Sequence, residues 1–487
     1  MNSTENGNKN KNGGVTLRDF HRVIKEKEIK FVDIKFADLL GSLQHITLPI
    51  EAFEDKMFIQ GIGFDGSSIR GFQLIHESDM LIRPELNTMF VDPFMDDATI
   101  SFLSNIKDPT TQQIYTRDTR AVAQRAEQFI EANGIANQAF FGPELEFFIF
   151  DEIRYDQKVN EGFYFIDSAE GAWNTGRQEG PNLGYKPRHK GGYFPSPPVD
   201  SFQNLRSKMV AVLMSVGVEV ELHHHEVASG GQSEIGMKYN TMVHQGDQAL
   251  KYKYVVKNVA RRYGKTVTFM PKPMFMDNGT GMHVHISLWK NGRNLFYESG
   301  GYAELSQAAL YFIGGLLQHA PALCAFCAPT TNSYRRLVPG YEAPINLVFS
   351  QRNRSACVRI PMYSGSEKAK RLEFRTPDPS CNPYLAFAAI LMAGVDGMIQ
   401  KIEPPKPIDT DIYEMSQKEK EQLKIRNTPG SLEEALEALE TDHAFLLRGG
   451  VFTEDLIRVW LDYKREKEVD YIRLRPHPGE FSLYYDA

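Results

Sequence analysis

The feature that most constrains this chain is an alternation in which acidic and histidine side chains take every second position of otherwise apolar segments. In Gly142-Pro143-Glu144-Leu145-Glu146-Phe147-Phe148, an extended backbone puts Glu144 and Glu146 on one face and Leu145 and Phe147 on the other. Gly281-Met282-His283-Val284-His285-Ile286-Ser287 sets His283, His285 and Ser287 against Met282, Val284 and Ile286. Arg371-Leu372-Glu373-Phe374-Arg375 pairs Glu373 with Arg375 in the same way, and after a further strand Glu226 and Glu234 stand either side of an expected flexible turn, Ser229-Gly230-Gly231. One such strand describes a solvated outer face. Several, each with an oily reverse side, predict a concave polar site on a sheet, with like charges held together by cations.

The donor set suggests which cations. Glutamate oxygens with one imidazole form a hard, oxygen-rich set that suits Mg²⁺ or Mn²⁺ rather than Zn²⁺. The triple histidine His223-His224-His225 invites a zinc reading, but His225-Glu226-Val227-Ala228-Ser229 fails His-Glu-x-x-His and no cysteine lies nearby. Two adjacent divalent ions suit phosphoryl transfer. A second, basic constellation comprises Arg335, Arg336, Arg352, Arg354 and Arg359, whose forks bind carboxylate and phosphate oxygens. Each arginine alone reads as a surface ion pair; beside a carboxylate cluster they describe a site for an anionic nucleotide and an anionic co-substrate. Two common nucleotide signals fail. Gly61-Ile62-Gly63-Phe64-Asp65-Gly66 has the dinucleotide spacing, but Ser67, Ser68 and Gly71 follow instead of a helix and Asp65 would repel a pyrophosphate. Gly264-Lys265-Thr266 resembles the end of a P-loop, but Val259 stands where its first glycine belongs.

Composition narrows the partners. A chain of 487 residues, 42% hydrophobic, can bury a large core in two or three domains, and its net charge of −7 argues against nucleic acid or an anionic membrane as a partner. Cys324, Cys327, Cys357 and Cys381 are expected as buried, reduced core thiols. The start lacks an apolar signal core, and the clean apolar run Leu385 to Val395 falls short of the roughly 20 residues that cross a bilayer, so the expected compartment is the cytoplasm. The Asn- and Gly-rich residues 1–14 are expected to be a disordered tail.

Local signals predict a helix over Thr16 to Lys27 and a half-buried strand over Phe31 to Phe36. A turn at Asp108-Pro109-Thr110-Thr111 suggests a domain boundary, with domains at 15–110 and 111–487. Beyond it come a helix from Ala121 to Ala132 capped by Gly134, a strand from Phe140 to Phe150, and a long excursion from Asp151 to Pro198. Ser201 is expected to cap a helix that stops at Gly217, followed by strands at Val218 to Leu222, Pro271 to Ser287 and Leu372 to Arg375. Ser431-Leu432-Glu433-Glu434 has capping-box form.

From about Thr16 onward the chain resembles the bacterial type I glutamine synthetases. The matching segments are Phe64-Asp65-Gly66-Ser67-Ser68, Phe141 to Phe148, Lys272-Pro273-Met274-Phe275, Asn332 to Pro344 and Asn353-Arg354-Ser355. The resemblance implies an α+β fold: a small N-terminal β-grasp domain and a large catalytic domain with a curved, mainly antiparallel sheet. It implies two Mg²⁺ or Mn²⁺ ions, one held by Glu146, Glu226 and Glu234 and the other by Glu144, His283 and Glu373. ATP is implied as a substrate near Glu221, His224, Tyr239, His285, Ser287, Arg354, Arg359 and Lys368, and glutamate near Asn278, Gly279, Arg336, Glu342 and Arg375. Asp65, Glu342 and Arg354 are the implied catalytic residues. Asp65 and Ser68 are implied to reach a neighbouring subunit's site in a double-ring dodecamer. The excursion resembles the subtype controlled by adenylylation, at the position of Tyr413, by an adenylyltransferase partner, although Asp411-Ile412-Tyr413-Glu414-Met415-Ser416 departs from the usual surroundings. The implied reaction joins ammonium to glutamate through γ-glutamyl phosphate. The alternatives are a γ-glutamyl ligase for polyamines or ethanolamine, which retention of Asp65 and Glu342 weighs against, and a non-catalytic structural homologue.

Overall fold

The first helix, α1 (Leu17–Glu26), begins where Thr16 closes a capping box: Asp19 N donates to Thr16 Oγ1 at 3.2 Å and Thr16 N to Asp19 Oδ2 at 3.0 Å. The computed structural model describes residues 14–487 apart from 74, 179, 181, 342, 364, 411, 413 and 414, so almost all of the expected tail, together with Glu342 and Tyr413, lies outside the described residues. After α1 come β1 (Phe31–Ala37), β2 (Leu43–Pro49), α2 (Met57–Gln60), β3 (Ile62–Asp65), β4 (Asp79–Pro84), β5 (Phe90–Val91) and β6 (Thr99–Lys107). They form one sheet in the order β2-β1-β6-β4-β3 with β5 also on β6, and only the β1–β6 pair is parallel.

Strand β1 is not half-buried, as its alternation predicts. Asp33 and Lys35 are 1% and 4% exposed, paired with each other; Asp92 lies 3.4 Å from the Lys35 ammonium, and His45 Nδ1 and Thr47 Oγ1 lie 2.7 and 2.8 Å from Asp33 Oδ1. Charges that satisfy one another can line a covered face, which a count of alternating polar residues cannot distinguish from a wet one. This first compact unit takes in the chain up to Asp38 and Ser42–Asp118; Leu39–Gly41 and everything from Thr119 belong to the second.

In the second unit, α3 (Thr119–Ala132) leads into the long β7 (Gln138–Phe150). The excursion that follows contains a two-stranded hairpin, β8 (Glu152–Gln157) with β9 (Gly162–Asp167), and then loops to α4 (Gln203–Ser215). Ser201 does not cap α4: its N–H and hydroxyl both donate to Glu170, and Phe202 takes the cap position without a side-chain bond. Next come β10 (Val220–His225), β11 (Gln232–Met237), β12 (Asn240–Thr241), α5 (Met242–Arg262), β13 (Thr266–Thr268), β14 (Met282–Lys290) and β15 (Arg293–Asn294). The expected strand from Pro271 is thus irregular up to Gly281, and β10 starts two residues later than predicted. The chain continues through α6 (Gln307–Cys327), α7 (Ser333–Arg336), β16 (Asn346–Gln351), β17 (Ala356–Ile360), β18 (Leu372–Phe374), α8 (Pro383–Gln400), α9 (Gln417–Gln422) and α10 (Leu432–Thr441). Ser431 Oγ does accept from Glu434 N at 3.1 Å, but the Glu434 carboxylate turns to Gly430 N at 2.8 Å, so the reciprocal half of the capping box is displaced by one residue.

The second sheet runs β10-β11-β7-β14-β18-β17-β16, with β12 and β13 also pairing β7 and β15 pairing β14; every pairing is antiparallel except β16–β17. The mainly antiparallel α+β reading therefore holds. Its oily side packs on helices: Phe141 of β7 meets Phe387 of α8 at 5.3 Å between ring centroids, and Tyr252 of α5 donates its hydroxyl to Leu145 O at 3.0 Å. Helices α6 and α8 are long and apolar enough to cross a membrane by length and composition, longer than the apolar run read from the sequence, but 78% and 83% of their most apolar windows are buried inside the protein as core. They approach closely because Gly315 faces Gly397: a Cβ on Gly315 would overlap Ala393 O and stand 2.8 Å from Gly397 Cα. All four cysteines are free and buried.

His319 of α6 is held between Asp442, at 2.8 Å from Nδ1, and Asp396 of α8, at 3.2 Å from Nε2, while its ring stacks on Phe445 at 4.0 Å and Arg448 Nε donates to Asp396 at 2.6 Å. Burial opposes the charged ring, but the two carboxylates outweigh it and raise His319 above its ordinary 6.5. A raised value means its contribution is complete below about 6.5 and is lost as pH climbs through the folded value. The unfolding-temperature gap between wild type and His319→Gln is therefore expected to be widest near pH 6, reflecting about 1.5–3 kcal/mol for hydrogen bonds to a charged group, and to shrink toward pH 9. A gap that does not change with pH would refute the charged ring. Gly315→Ala is expected to destabilise by about 1–3 kcal/mol or more in denaturant titration, because two helix backbones must separate.

Candidate active site

Antiparallel register brings the polar faces together. His283 of β14 pairs with Glu144 of β7, His285 with Glu373 of β18, Glu234 of β11 with Glu146 of β7, and His224 of β10 with Glu234. Residues directly opposite on neighbouring strands face the same side, so residues far apart in the chain share one surface. Two sets of ligand atoms lie within 4.8 Å of one another: Glu144, His283 and Glu373, and His224, Glu226 and Glu234. In the first, His283 Nδ1 is 3.5 Å from Glu144 Oε2 and 4.0 Å from Glu373 Oε1. In the second, His224 lies 3.6 Å from Glu226 and 4.0 Å from Glu234.

Glu146, expected with Glu226 and Glu234, is beside them through its register partner, but its Oε2 accepts from Gly281 N at 2.8 Å and from Gln232 Nε2 at 3.0 Å. Those bonds orient the carboxylate and leave Oε1 for another partner. The Ser229-Gly230-Gly231 turn is buried rather than free: Ser229 N and Oγ each donate to Asp277 Oδ2 at 2.8 Å.

The cluster is electrostatically unbalanced as it stands. Burial, and then the surrounding Glu144, Glu226, Glu146 and Glu373, push Glu234 well above the usual carboxylate range, and burial lifts Glu146 to about 7. Burial also opposes ionisation of Glu144, yet His285 and His283 hold it well below the usual range. Glu373 is 1% exposed and held at about 2, burial notwithstanding, by Arg375, and it is paired with both Arg359 and Arg375. Burial and Arg375 push His283 down to about 4, which keeps its ring neutral and a lone pair free to ligate. Carboxylates crowded in a low-dielectric face, with neutral imidazoles beside them, form a donor set that fits hard divalent cations.

The other expected residues fall in both units. His285 Nε2 lies 2.8 Å from Glu144, and Arg371, which the sequence did not single out, donates to His285 Nδ1 at 3.2 Å. Ser287 is next along the same face and accepts from Trp289 Nε1 at 3.0 Å. Tyr239 is half exposed, edge-on to Phe140 at 5.6 Å, while Glu221 and Lys368 are exposed on β10 and on the turn Glu367–Ala369. Asn278 and Arg336 are buried; Arg336 donates to Thr376 O at 2.8 Å and Arg375 O at 3.1 Å, and Gly279 packs so tightly on Arg336 that a Cβ would come 3.0 Å from its Cγ. Arg354 is flanked by Tyr193 and Tyr363. Asp65 and Ser68 belong to the first unit: Ser67 and Ser68 hydroxyls each donate to the Asp65 carboxylate at 2.6 Å, and with the Ser67 N–H they hold it below the usual 3.8.

Sequence reasoning missed Gln232, which orients Glu146, although Gln232 and Glu234 share a strand face at period 2 and that signal could have found it. It also missed the stacked rings of Tyr193 and Phe194, 4.0 Å apart, with His224 edge-on to Phe194 at 4.6 Å. No periodicity marks those, because they lie in the irregular excursion.

Comparison with known proteins shows the family. Residues 28–109 match the family description "Glutamine synthetase, beta-Grasp domain" and residues 116–484 match "Glutamine synthetase, catalytic domain". The chain is 58% identical to a glutamine synthetase of Frankia alni over 96% of its own length and 98% of that protein, and 55% identical to one from a Nostoc species over 97% and 100%. Its structure resembles a Plasmodium falciparum glutamine synthetase with a TM-score of 0.88, at 30% identity and 100% coverage of both chains. A GmaS chain solved as its ADP complex aligns with a TM-score of 0.78 at 27% identity, over 96% of this chain and 99% of that one. The chain belongs to the glutamine synthetase family, and its activity is that of a glutamate–ammonia ligase.

Proposed function

We propose that the reaction runs on the polar face of the second sheet, with Glu144, His283 and Glu373 holding one divalent cation and Glu146, Glu226 and Glu234 a second. The observation that carries this reading is the register of β7 against β14 and β11, which gathers carboxylates, two of them pushed by burial above the usual carboxylate range. When bound, the two cations, Mg²⁺ or Mn²⁺, supply charge neutralisation for nucleotide phosphates and for a transferring phosphoryl group.

The chain's own residues then bind, orient and move protons. Glu221, His224, Tyr239, His285, Ser287, Arg359 and Lys368 surround ATP. Asn278, Gly279, Arg336 and Arg375 orient glutamate so that its γ-carboxylate oxygen attacks the terminal phosphorus, expelling ADP and giving γ-glutamyl phosphate. A carboxylate needs this activation because oxide is not a viable leaving group. Arg354 offsets charge on the phosphoryl oxygens during transfer. Asp65, a carboxylate held below the usual 3.8 by serine donors, attracts ammonium and takes its proton, with Ser68 beside it. Ammonia attacks the acyl carbon and phosphate departs, while Glu342 guards the intermediate from water and accepts a proton. In this reading Asp65 and Ser68 serve a neighbouring subunit's site in a dodecamer of two hexameric rings, the protein works in the cytoplasm, and an adenylyltransferase modifies Tyr413. The absence of an adenylyl group on Tyr413 in nitrogen-replete native protein, together with failure of a competent adenylyltransferase to add one, would remove that last element.

Purified protein given L-glutamate, Mg-ATP and ammonium should release glutamine and phosphate, and putrescine or ethanolamine in place of ammonium should not support comparable turnover. Glu144→Gln is expected to lower turnover about a hundredfold or more while far-UV circular dichroism stays native, because Glu144 is the more exposed ligand. Glu373→Gln should also unfold more readily, by about 3–5 kcal/mol, since it leaves Arg359 and Arg375 without their buried counter-charge. Full turnover in Glu144→Gln would remove that residue from the cation site.

A further inference from the structure

The excursion between β7 and α4 is largely exposed, yet Glu170 within it is 0% exposed and takes no part in the mechanism above. Its Oε2 lies 2.9 Å from His225 Nε2, and its Oε1 accepts from Ser201 N at 2.6 Å and Ser201 Oγ at 2.8 Å. The other ring nitrogen of His225, itself 1% exposed, donates to the backbone carbonyl of Glu226 at 2.6 Å. Glu170, the His225 ring and the Glu226 main chain thus form one continuous buried chain of hydrogen bonds.

A second contact holds the same stretch from the excursion side. Gly192 N donates to Val227 O at 3.0 Å, and a Cβ at Gly192 would overlap Glu226 O and stand 2.8 Å from Ala228 O, so only glycine lets the two backbones meet. Glu226 lies just past the end of β10; its N–H still donates to Gln232 O of β11 at 2.9 Å, and beyond it the chain leaves the ladder. Its carboxylate Oε2 accepts from Val227 N at 2.9 Å, and Oε1 is turned toward His224 at 3.6 Å. The carbonyl and the carboxylate of Glu226 are thus each held by a hydrogen bond, from His225 Nδ1 and from Val227 N.

We infer that Glu170 and His225 are positioning residues for Glu226, setting through its main chain the direction in which its carboxylate meets a divalent cation. This rests on the cation reading given above. A burial-only role would affect stability and both cation sites alike, whereas a positioning role is confined to the site that contains Glu226.

The test is titration of the intact protein with Mn²⁺ in the absence of nucleotide, following the electron paramagnetic resonance signal of free Mn²⁺. Wild type is expected to take up two ions per subunit; uptake of none would overturn the cation reading and this inference together. In Glu170→Gln, nearly isosteric but without the charge, one of the two sites should weaken about tenfold or more and the other stay unchanged. The Mn²⁺ concentration for half-maximal activity should rise in step, with kcat largely recovered at saturating metal. His225→Phe, which keeps a ring but loses the bond to Glu226 O, should weaken the same site further; if it does not fold, Glu170→Gln decides alone. Two ions bound with wild-type affinities by folded Glu170→Gln, or equal weakening of both sites, would overturn the inference and leave the cation reading standing.

Discussion

Like charges crowded on one buried sheet face set the terms for the rest of this structure. Glu144, Glu146, Glu226, Glu234 and Glu373 cannot all ionise there unaided, and the fold answers with several devices at once. Glu373 is neutralised by two guanidiniums, Glu144 is held low by its contacts with His285 and His283, and Glu146 is oriented by a backbone N–H and an amide. Burial and its neighbours push Glu234 well above the usual carboxylate range. A divalent cation resolves the remainder, because it replaces protons with a charge that the crowded oxygens share.

Such a face must be held rigidly, since a ligand displaced by an ångström no longer meets its ion. The rigidity comes from behind. Strand β7 packs its apolar side on α5 and α8, and α8 is pressed against α6 through Gly315 and Gly397 and tied to it by the His319–Asp396 pair. The less regular parts of the site depend on the excursion instead, through Glu170, Gly192 and the rings of Tyr193 and Phe194. Chemistry therefore draws on two kinds of support, a hydrogen-bonded ladder across β10, β11, β7, β14 and β18, and a looped segment that adds to it at the end of β10.

How much of this was legible beforehand differs residue by residue. Glu144 with Glu146, and His283 with His285 and Ser287, were readable as shared faces because period 2 is a local property of extended backbone. The same rule misread β1, where Asp33 and Lys35 alternate as on a wet strand but pair with each other under cover. Ser201 looked like a helix cap and instead serves Glu170, 31 residues away, because a hydroxyl binds whichever partner tertiary structure presents. Glu170 itself carried no signal at all: its partner His225 is 55 positions distant and no motif links them.

By itself the sequence determined which side chains share a face, which segments are apolar enough to form the core, and that the acidic residues are concentrated rather than scattered. These follow from backbone geometry within a few residues and from composition. Only the tertiary structure decided which faces meet, that His224 comes together with Glu226 and Glu234, and that a buried carboxylate in a loop is linked through His225 to the main chain of Glu226. The physical reason is register: a slip of one residue in the pairing of β7 with β11 or β14 would turn every carboxylate into the core, and nothing local to any one strand specifies where its partner begins.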